Sequence, residues 1–259
     1  MFNRIRTIQR IACSQATKSR ALSMCLCMAA TLATLSACSA QSIEIAELTD
    51  EALQIDGTVM YVNCTELDDT VRVQPHPNQL DLIRVQILDL DEVLIRERSY
   101  PHASLEAVIV SLGAGADGYI NTTNTRDIVY GGPSGDTIWG GNGVSWLYGE
   151  GGEDSLSGGL GSDLVNGGDN IDFMGGGKGN DILSGGAGDN DFLNGGAGED
   201  FLYGDAGIDQ LYGGTERDEL RGGLGVDSLY GEDGDDLLWG GQSNDTLTDF
   251  NAVGGDTKF

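Results

Sequence analysis

The chain has 259 residues, 41 of them Gly and only 4 Pro, and a net charge of −27 at neutral pH. All 41 acidic residues follow position 43, whereas five of the 14 basic ones (Arg4, Arg6, Arg10, Lys18, Arg20) precede it, so the remainder carries 9 − 41 = −32. Such a surface repels nucleic acid and anionic lipid and attracts cations, which excludes nucleic acid as a partner.

Residues 1–20 are basic and lack any acid, and residues 21–37 (ALSMCLCMAATLATLSA) are apolar or small. This is the layout of a secretory signal over 1–37. The stretch is too short, and too rich in Ala, Ser and Thr, for a membrane span of about 20 apolar residues. The junction Leu35-Ser36-Ala37-Cys38 resembles the bacterial lipobox. The resemblance implies cleavage before Cys38 and a lipid on its thiol, with ordinary cleavage near Ala40 as the alternative. A lipid on Cys38 would anchor the chain without spanning the membrane. Ser39 after the Cys resembles outer-membrane sorting. The expected location is therefore extracytoplasmic: an outer-membrane or cell-surface lipoprotein, or alternatively a secreted protein. Cys13, Cys25 and Cys27 leave with the signal, and Cys64 then has no disulfide partner, so it reads as a small buried apolar residue.

Residues 38–54 are polar and acidic and read as a tether. From 55 to 111 the pattern turns to β, with strands expected over 58–63, 70–74, 80–88, 92–96 and 107–112. These runs are rich in Val, Ile and Leu and are parted by Asp56-Gly57 and Pro75-His76-Pro77-Asn78. Val71 and Val73 alternate with Arg72, the period of a strand with one covered face. A solenoid exposes apolar core at its ends and needs a cap, so this segment reads as an N-terminal strand-rich cap. A separate recognition module is the competing role.

Residues 112–248 are repetitive. Degenerate copies, such as Gly113-Ala114-Gly115-Ala116-Asp117, precede thirteen nine-residue units that fill 131–248. The best copies, 158–166, 176–184 and 195–203, read G-G-x-G-x-D-x-U-x with U large and apolar. A strict short period predicts a solenoid. The fold class expected is all-β, a right-handed parallel β-roll or β-solenoid of nonapeptide repeats. Gly at the first, second and fourth places permits positive φ, so the first six residues should form a turn and the last three a short strand. The eighth-place residue (Ile138, Leu156, Leu183, Leu202, Leu211, Leu229, Leu247) should point between two sheets. Residues 249–259 read as a C-terminal cap.

Two units make one turn, so each unit stacks on the next but one. The sixth-place acids then form two columns. One runs Asp136, Asp154, Asp172, Asp191, Asp209, Asp227, Asp245, and the other Asp163, Asp181, Asp200, Asp218, Asp236. Stacked strands sit about 4.8 Å apart. Carboxylates at about 5 Å repel by roughly 1 kcal/mol per pair in water and about 3 kcal/mol at an effective dielectric of 20. A hard divalent cation between successive turns reverses that sign. Calcium accepts 6–8 carboxylate and carbonyl oxygens in flexible geometry, whereas magnesium prefers a tighter octahedron with retained waters. Zinc would want Cys or His, and only His76, His102 and Cys64 remain, unclustered.

The repeat region resembles the calcium-binding β-roll of the RTX (repeats-in-toxin) family. The resemblance implies that the twelve aspartates just named bind several Ca2+ ions together with carbonyls of the Gly-rich turns, and that binding is coupled to folding. Ser145 stands where its unit should have an Asp, so that site should be weak or empty. The fourth place is Asn170, Glu216 and Ser243 in three units, and 185–194 carries an extra residue.

The seventh place should face solvent. In one sheet it reads Trp146, Leu164, Ile182, Phe201, Glu219, Leu237, flanked by Tyr148, Tyr203 and Trp239 at the ninth place. An apolar row of that length exceeds random scatter. It is either a docking face for a protein partner or a second copy, or a face covered by the N-terminal strands. The chain has no H-E-x-x-H and no G-x-S-x-G, and 41–111 is short for a catalytic domain. The expectation is a non-enzymatic, calcium-binding surface protein of structural role, or else a calcium-gated adhesin or scaffold. Site affinity is expected at about 10⁻⁴–10⁻³ M, as in other extracellular modules.

Overall fold

In the computed structural model the described residues are 59–248, apart from 65, 66, 80, 90 and 189, together with 257–258. The signal, the tether with Cys38, and most of 249–259 lie outside them. The described chain is a parallel β-solenoid of about eight turns, with no α-helix.

The N-terminal strands are β1 Val59–Asn63, β2 Asp69–Pro75, β3 Leu82–Asp89, β4 Leu94–Pro101 and β5 Ala107–Ser111, with one 3-10 turn at His102–Ser104. They are followed by β6 Gly118–Asn121, β7 Arg126–Gly132, β8 Thr137–Trp139 and β9 Ser145–Gly151. From β10 Ser155–Leu160 to β20 Thr246–Thr248 there is one strand per repeat unit, and β21 Thr257–Lys258 closes the set. Odd strands from β5 onward join β1 in a ten-stranded sheet; even strands form an eleven-stranded sheet that continues past β2 into β3 and β4. The chain therefore alternates between two faces, and each turn of the coil lays one strand on each.

β1 pairs with β5, and β2 with β6, both in parallel. These first strands thus belong to the coil's own sheets. Only β3 and β4 run antiparallel, prolonging one sheet beyond the end of the other. Their alternation places Val71, Val73, Ile83, Val85 and Ile87 inside, continuous with Met60, Val62, Val108 and Val110.

Eighth-place side chains fill the space between the sheets. Ile138, Leu147, Val165, Leu183, Leu202, Leu220 and Leu238 are fully buried, whereas Leu247 near the C-terminal end is only partly so. Fully burying one such side chain contributes about 1.5–3 kcal/mol, and each nine-residue unit supplies one.

The strands are longer than the repeat pattern predicts. β11 Leu164–Asp169 spans the seventh place of one unit to the third of the next, leaving only three residues for the turn. The reason is backbone pairing: Gly168 stays in register with Gly186, because a ladder of N–H and C=O groups needs no side chain. The extra residue in 185–194 is absorbed in the turn, since Phe173 still pairs with Phe192.

The second and fourth places hold the left-handed backbone. Gly168 (φ 115°) and Gly161 (φ 134°) show the pattern. Non-glycine residues at these places are forced into the same region: Glu150 (74°), Asp205 (68°) and Glu232 (70°) at the second, and Asn170 (82°), Glu216 (76°) and Ser243 (102°) at the fourth. For an L-residue this costs roughly 1–2 kcal/mol, with Asn the usual exception. Glu216→Gly should therefore raise the thermal midpoint of the calcium-loaded protein, by a net stabilisation of up to about 1 kcal/mol once glycine's extra chain entropy is subtracted. A calorimetric midpoint that falls would show that the backbone there is not strained.

Candidate metal sites

The turn geometry brings the sixth-place aspartates inward. Asp136, Asp154, Asp163, Asp172, Asp181, Asp200, Asp209, Asp218 and Asp227 are each at most 2 % exposed, as are Asp191 and Asp236. Asp245 is only partly buried. Within a column they are linked by a regular contact. The backbone N–H of each Asp donates to Oδ1 of the Asp one turn on: Asp136 to Asp154 at 2.7 Å, Asp163 to Asp181 at 2.7 Å, Asp181 to Asp200 at 2.8 Å, Asp209 to Asp227 at 2.9 Å. The ladder reaches Asp245, which accepts from Asp227 at 3.0 Å. Both predicted columns are thus assembled, one on each flank.

Oδ1 is used and Oδ2 is not. The Oδ2 atoms of Asp117, Asp136, Asp154, Asp163, Asp172, Asp181, Asp200, Asp209, Asp218 and Asp227 are buried without a hydrogen-bond partner. An isolated buried acceptor costs about 1–3 kcal/mol, and more when charged. Apart from that of Asp117, whose unit has Leu112 at the first place, each such oxygen faces a gap left by the first-place glycine of its unit. A Cβ on Gly158 would lie 2.5 Å from Asp163 Oδ2 and 2.7 Å from the Gly176 carbonyl oxygen. On Gly204 it would lie 2.6 Å from both Asp209 Oδ2 and the Gly222 carbonyl oxygen. Carboxylate and carbonyl oxygens therefore converge on a space that any side chain would fill.

Oxygen donors of this kind suit a hard cation such as calcium. Among the described residues no group of three or more His, Cys, Asp or Glu side chains comes together. The donor set is instead one carboxylate per turn and neighbouring carbonyls, which fits calcium and not zinc.

Three more acids join the columns beyond the twelve named from the regular repeats. The first column runs two steps further upstream, because the Asp117 N–H donates to Asp136 Oδ1 at 2.8 Å and the Asp69 N–H to Asp117 Oδ1 at 2.6 Å. Asp117 closes a recognisable degenerate repeat, whereas Asp69 lies in a segment with no repeat at all. The third, Asp127, belongs to the second column. At the predicted gap in that column, the Ser145 N–H still donates to Asp163 Oδ1 at 2.7 Å.

Six stretches, five of them overlapping (112–147, 130–165, 139–174, 166–192 and 176–211) and one that follows on (212–247), match the family model of the RTX calcium-binding nonapeptide repeat. The chain belongs to this family. No curated protein and no solved structure matches the chain. The RTX repeats bind Ca2+, several ions to the array, and the family accounts for the orphaned oxygens: the roll is shaped for charge that the protein itself does not neutralise.

Burial is the largest cause that pushes these carboxyls up when no cation is present. From 3.8 they rise to about 6 for Asp154, Asp163, Asp181 and Asp200, to about 7 for Asp136, Asp172 and Asp209, and to about 8 for Asp218. Hydrogen bonds from the backbone oppose the rise and neighbouring acids add to it. A folded-state value above the unfolded one favours the protonated roll. That stabilisation is complete below about pH 4 and is lost as pH climbs through 6 to 8. The metal-free RTX roll should therefore show more β signal by circular dichroism at about pH 5 than at about pH 8. With calcium present the dependence should invert, because protons compete for the same oxygens. Identical metal-free spectra at both pH values would contradict this.

Proposed function

We propose that the protein is a calcium-stiffened, non-enzymatic rod on the outside of the cell envelope, tethered through a lipid on Cys38. Calcium binding and a structural role follow from the RTX repeats. The ligand assignment to Asp136, Asp154, Asp163, Asp172, Asp181, Asp191, Asp200, Asp209, Asp218, Asp227, Asp236 and Asp245 is supported by one observation above all: along both flanks these aspartates form hydrogen-bonded columns at 18- or 19-residue intervals, and Oδ2 of Asp136, Asp154, Asp163, Asp172, Asp181, Asp200, Asp209, Asp218 and Asp227 is buried without a partner. Asp117 joins them by the same criterion. Calcium then supplies the positive charge that lets the turns close, so winding is coupled to binding. Outside the cell the ion is abundant, so weak sites suffice.

A second reading, a calcium-gated adhesin or scaffold, is favoured by the outer face of the odd-strand sheet. Trp146, Leu164, Ile182 and Phe201 pair in register on consecutive strands. Trp146, Ile182 and Phe201 are each more than 40 % exposed. Leu237 continues the row past Glu219. Glu219 itself is paired with Arg221, which stacks over Tyr203 and Trp239. The N-terminal strands extend the two sheets at one end, and among the described residues none lies across this row.

A calcium titration tests the first reading. Circular dichroism should change from disordered to β as several ions bind by calorimetry, and EGTA should reverse it, with magnesium a poor substitute. A β spectrum indifferent to EGTA would defeat coupled folding. Two further variants separate the rest. Cys38→Ser should move the chain from the detergent phase to the aqueous phase, whereas Ile182→Ser with Phe201→Ser should reduce self-association or surface binding in calcium and leave the fold intact. Unchanged partitioning or unchanged association, respectively, would remove the anchor or the docking face.

A further inference from the structure

At its N-terminal end the second aspartate column closes on a carboxylate whose needs are met by the protein itself. Asp127 on β7 is fully buried. Asn121 Nδ2 donates to both of its oxygens, at 2.8 and 2.7 Å, and the Tyr119 hydroxyl donates to Oδ1 at 2.7 Å. The Ser145 side chain and the Gly141 backbone N–H, close by, also favour its charged form, against the burial that opposes it. By contrast, Oδ2 of Asp136, Asp154, Asp163, Asp172, Asp181, Asp200, Asp209, Asp218 and Asp227 has no hydrogen-bond partner.

The reason lies in one inserted residue and one substitution. Ile120 pairs with Trp139, so Asn121 stands where the next turn has Gly140, the first-place glycine. The stretch that begins at Asn121 carries one residue more than the regular turn, which is why Asp117 and Asp136 are 19 residues apart. In the regular turns that glycine leaves a gap beside the carboxylate. Here the gap holds an amide: a Cβ on Gly141 would lie 2.9 Å from Asn121 Cγ and Nδ2. The amide is held in turn, because Thr123 donates to Asn121 Oδ1 from both N and Oγ1, at 2.7 and 2.8 Å, and Asn121 Nδ2 reaches Thr125 Oγ1 at 3.2 Å. Asn121, Thr123 and Thr125 are each 4 % exposed. Ser145 completes the arrangement by replacing the next carboxylate with a hydroxyl. N–H and O–H donors thus take the role that a cation takes elsewhere, and the repulsion that opposes a bare column is absent at this step.

The surrounding core is also denser. Met60, Val62, Val71, Val73, Val108, Val110 and Leu112 are buried within a short span, whereas later units add one large side chain each. Two first-column oxygens, on Asp117 and Asp136, remain without partners in this part of the coil, whereas both oxygens of Asp127 on the other flank accept hydrogen bonds.

We propose that residues 59–148 fold without calcium around the Asn121–Asp127 lock and serve as the template on which the calcium-dependent turns wind. This rests on the coupled-folding reading above. Hydrogen–deuterium exchange of the full chain, read by mass spectrometry in EGTA and in calcium, tests it. In EGTA, amides of 107–130 should keep protection of about 100-fold or more, while those of 150–245 exchange as unstructured chain; calcium should protect both. Asn121→Leu should abolish the EGTA protection. Ser145→Asp faces Asp127 with a second charge. It should also abolish that protection, regain it in calcium, and bind about one more ion by calorimetry. If Asn121→Leu fails to fold even in calcium, Ser145→Asp and the milder Tyr119→Phe carry the test. Rapid exchange of 107–130 in EGTA, or a Ser145→Asp chain that keeps its metal-free protection, would overturn the proposal. Protection of 150–245 in EGTA would instead overturn coupled folding, and the contrast drawn here with it.

Discussion

Parallel strands stack about 4.8 Å apart whatever their side chains, and in this coil that spacing is imposed on a row of buried carboxylates. Each Asp is fixed in place because its Oδ1 accepts the backbone N–H of the Asp one turn before, as Asp181 does from Asp163. The same contact that orients the side chain brings like charges together and leaves Oδ2 facing an enclosed gap. Winding and charge are therefore one problem. Each regular turn added by the backbone ladder adds a carboxylate on either flank that water no longer solvates, and a proton or a divalent ion there would relieve the repulsion.

The core cannot solve that problem by itself. One Leu-sized side chain contributes about 2 kcal/mol, while ordering nine residues costs at least about 1 kcal/mol of backbone entropy each. Glycine sharpens the balance, because it loses the most freedom on folding, yet it is required where φ is positive and where a Cβ would fill the cation's space. The sequence departs from glycine mainly toward acids: Glu150, Asp205, Glu216 and Glu232 take left-handed backbone beside the columns. Of these, Glu150 adds to the field at Asp136, and Glu216 to that at Asp200 and Asp218. Strain and repulsion therefore accumulate at the same places along the columns.

The two ends of the described coil differ in how they manage this. Toward the N-terminus, Val- and Ile-rich strands bury a continuous core and Asp127 is surrounded by donors. Toward the C-terminus burial thins, with Leu247 and Asp245 both partly exposed. The outer faces are a separate matter. Phe192, Tyr212 and Tyr230 pack ring against ring on the even-strand sheet, and the Trp146–Phe201 row lies open on the other. Neither face is needed to hold a cation.

The period of the repeat determined a great deal without coordinates. Nine residues per unit with an apolar eighth place dictate two sheets with Leu183, Leu202 and Leu229 between them, because each unit offers no other regularly placed large apolar side chain to bury there. The same arithmetic aligned the aspartates into two columns. What the period could not carry was anything resting on pairing between strands. Strand length depends on backbone groups that have no side-chain signature, so β11 runs through its glycines. Asp69 enters the first column only because β2 pairs with β6, and no local motif marks it. Asn121 reads as a stray residue between two degenerate repeats, and only the folded turn reveals that its amide occupies the space a cation would need. Local chemistry is written in the spacing of residues along the chain; which oxygen keeps a partner and which is left bare is decided where distant strands meet.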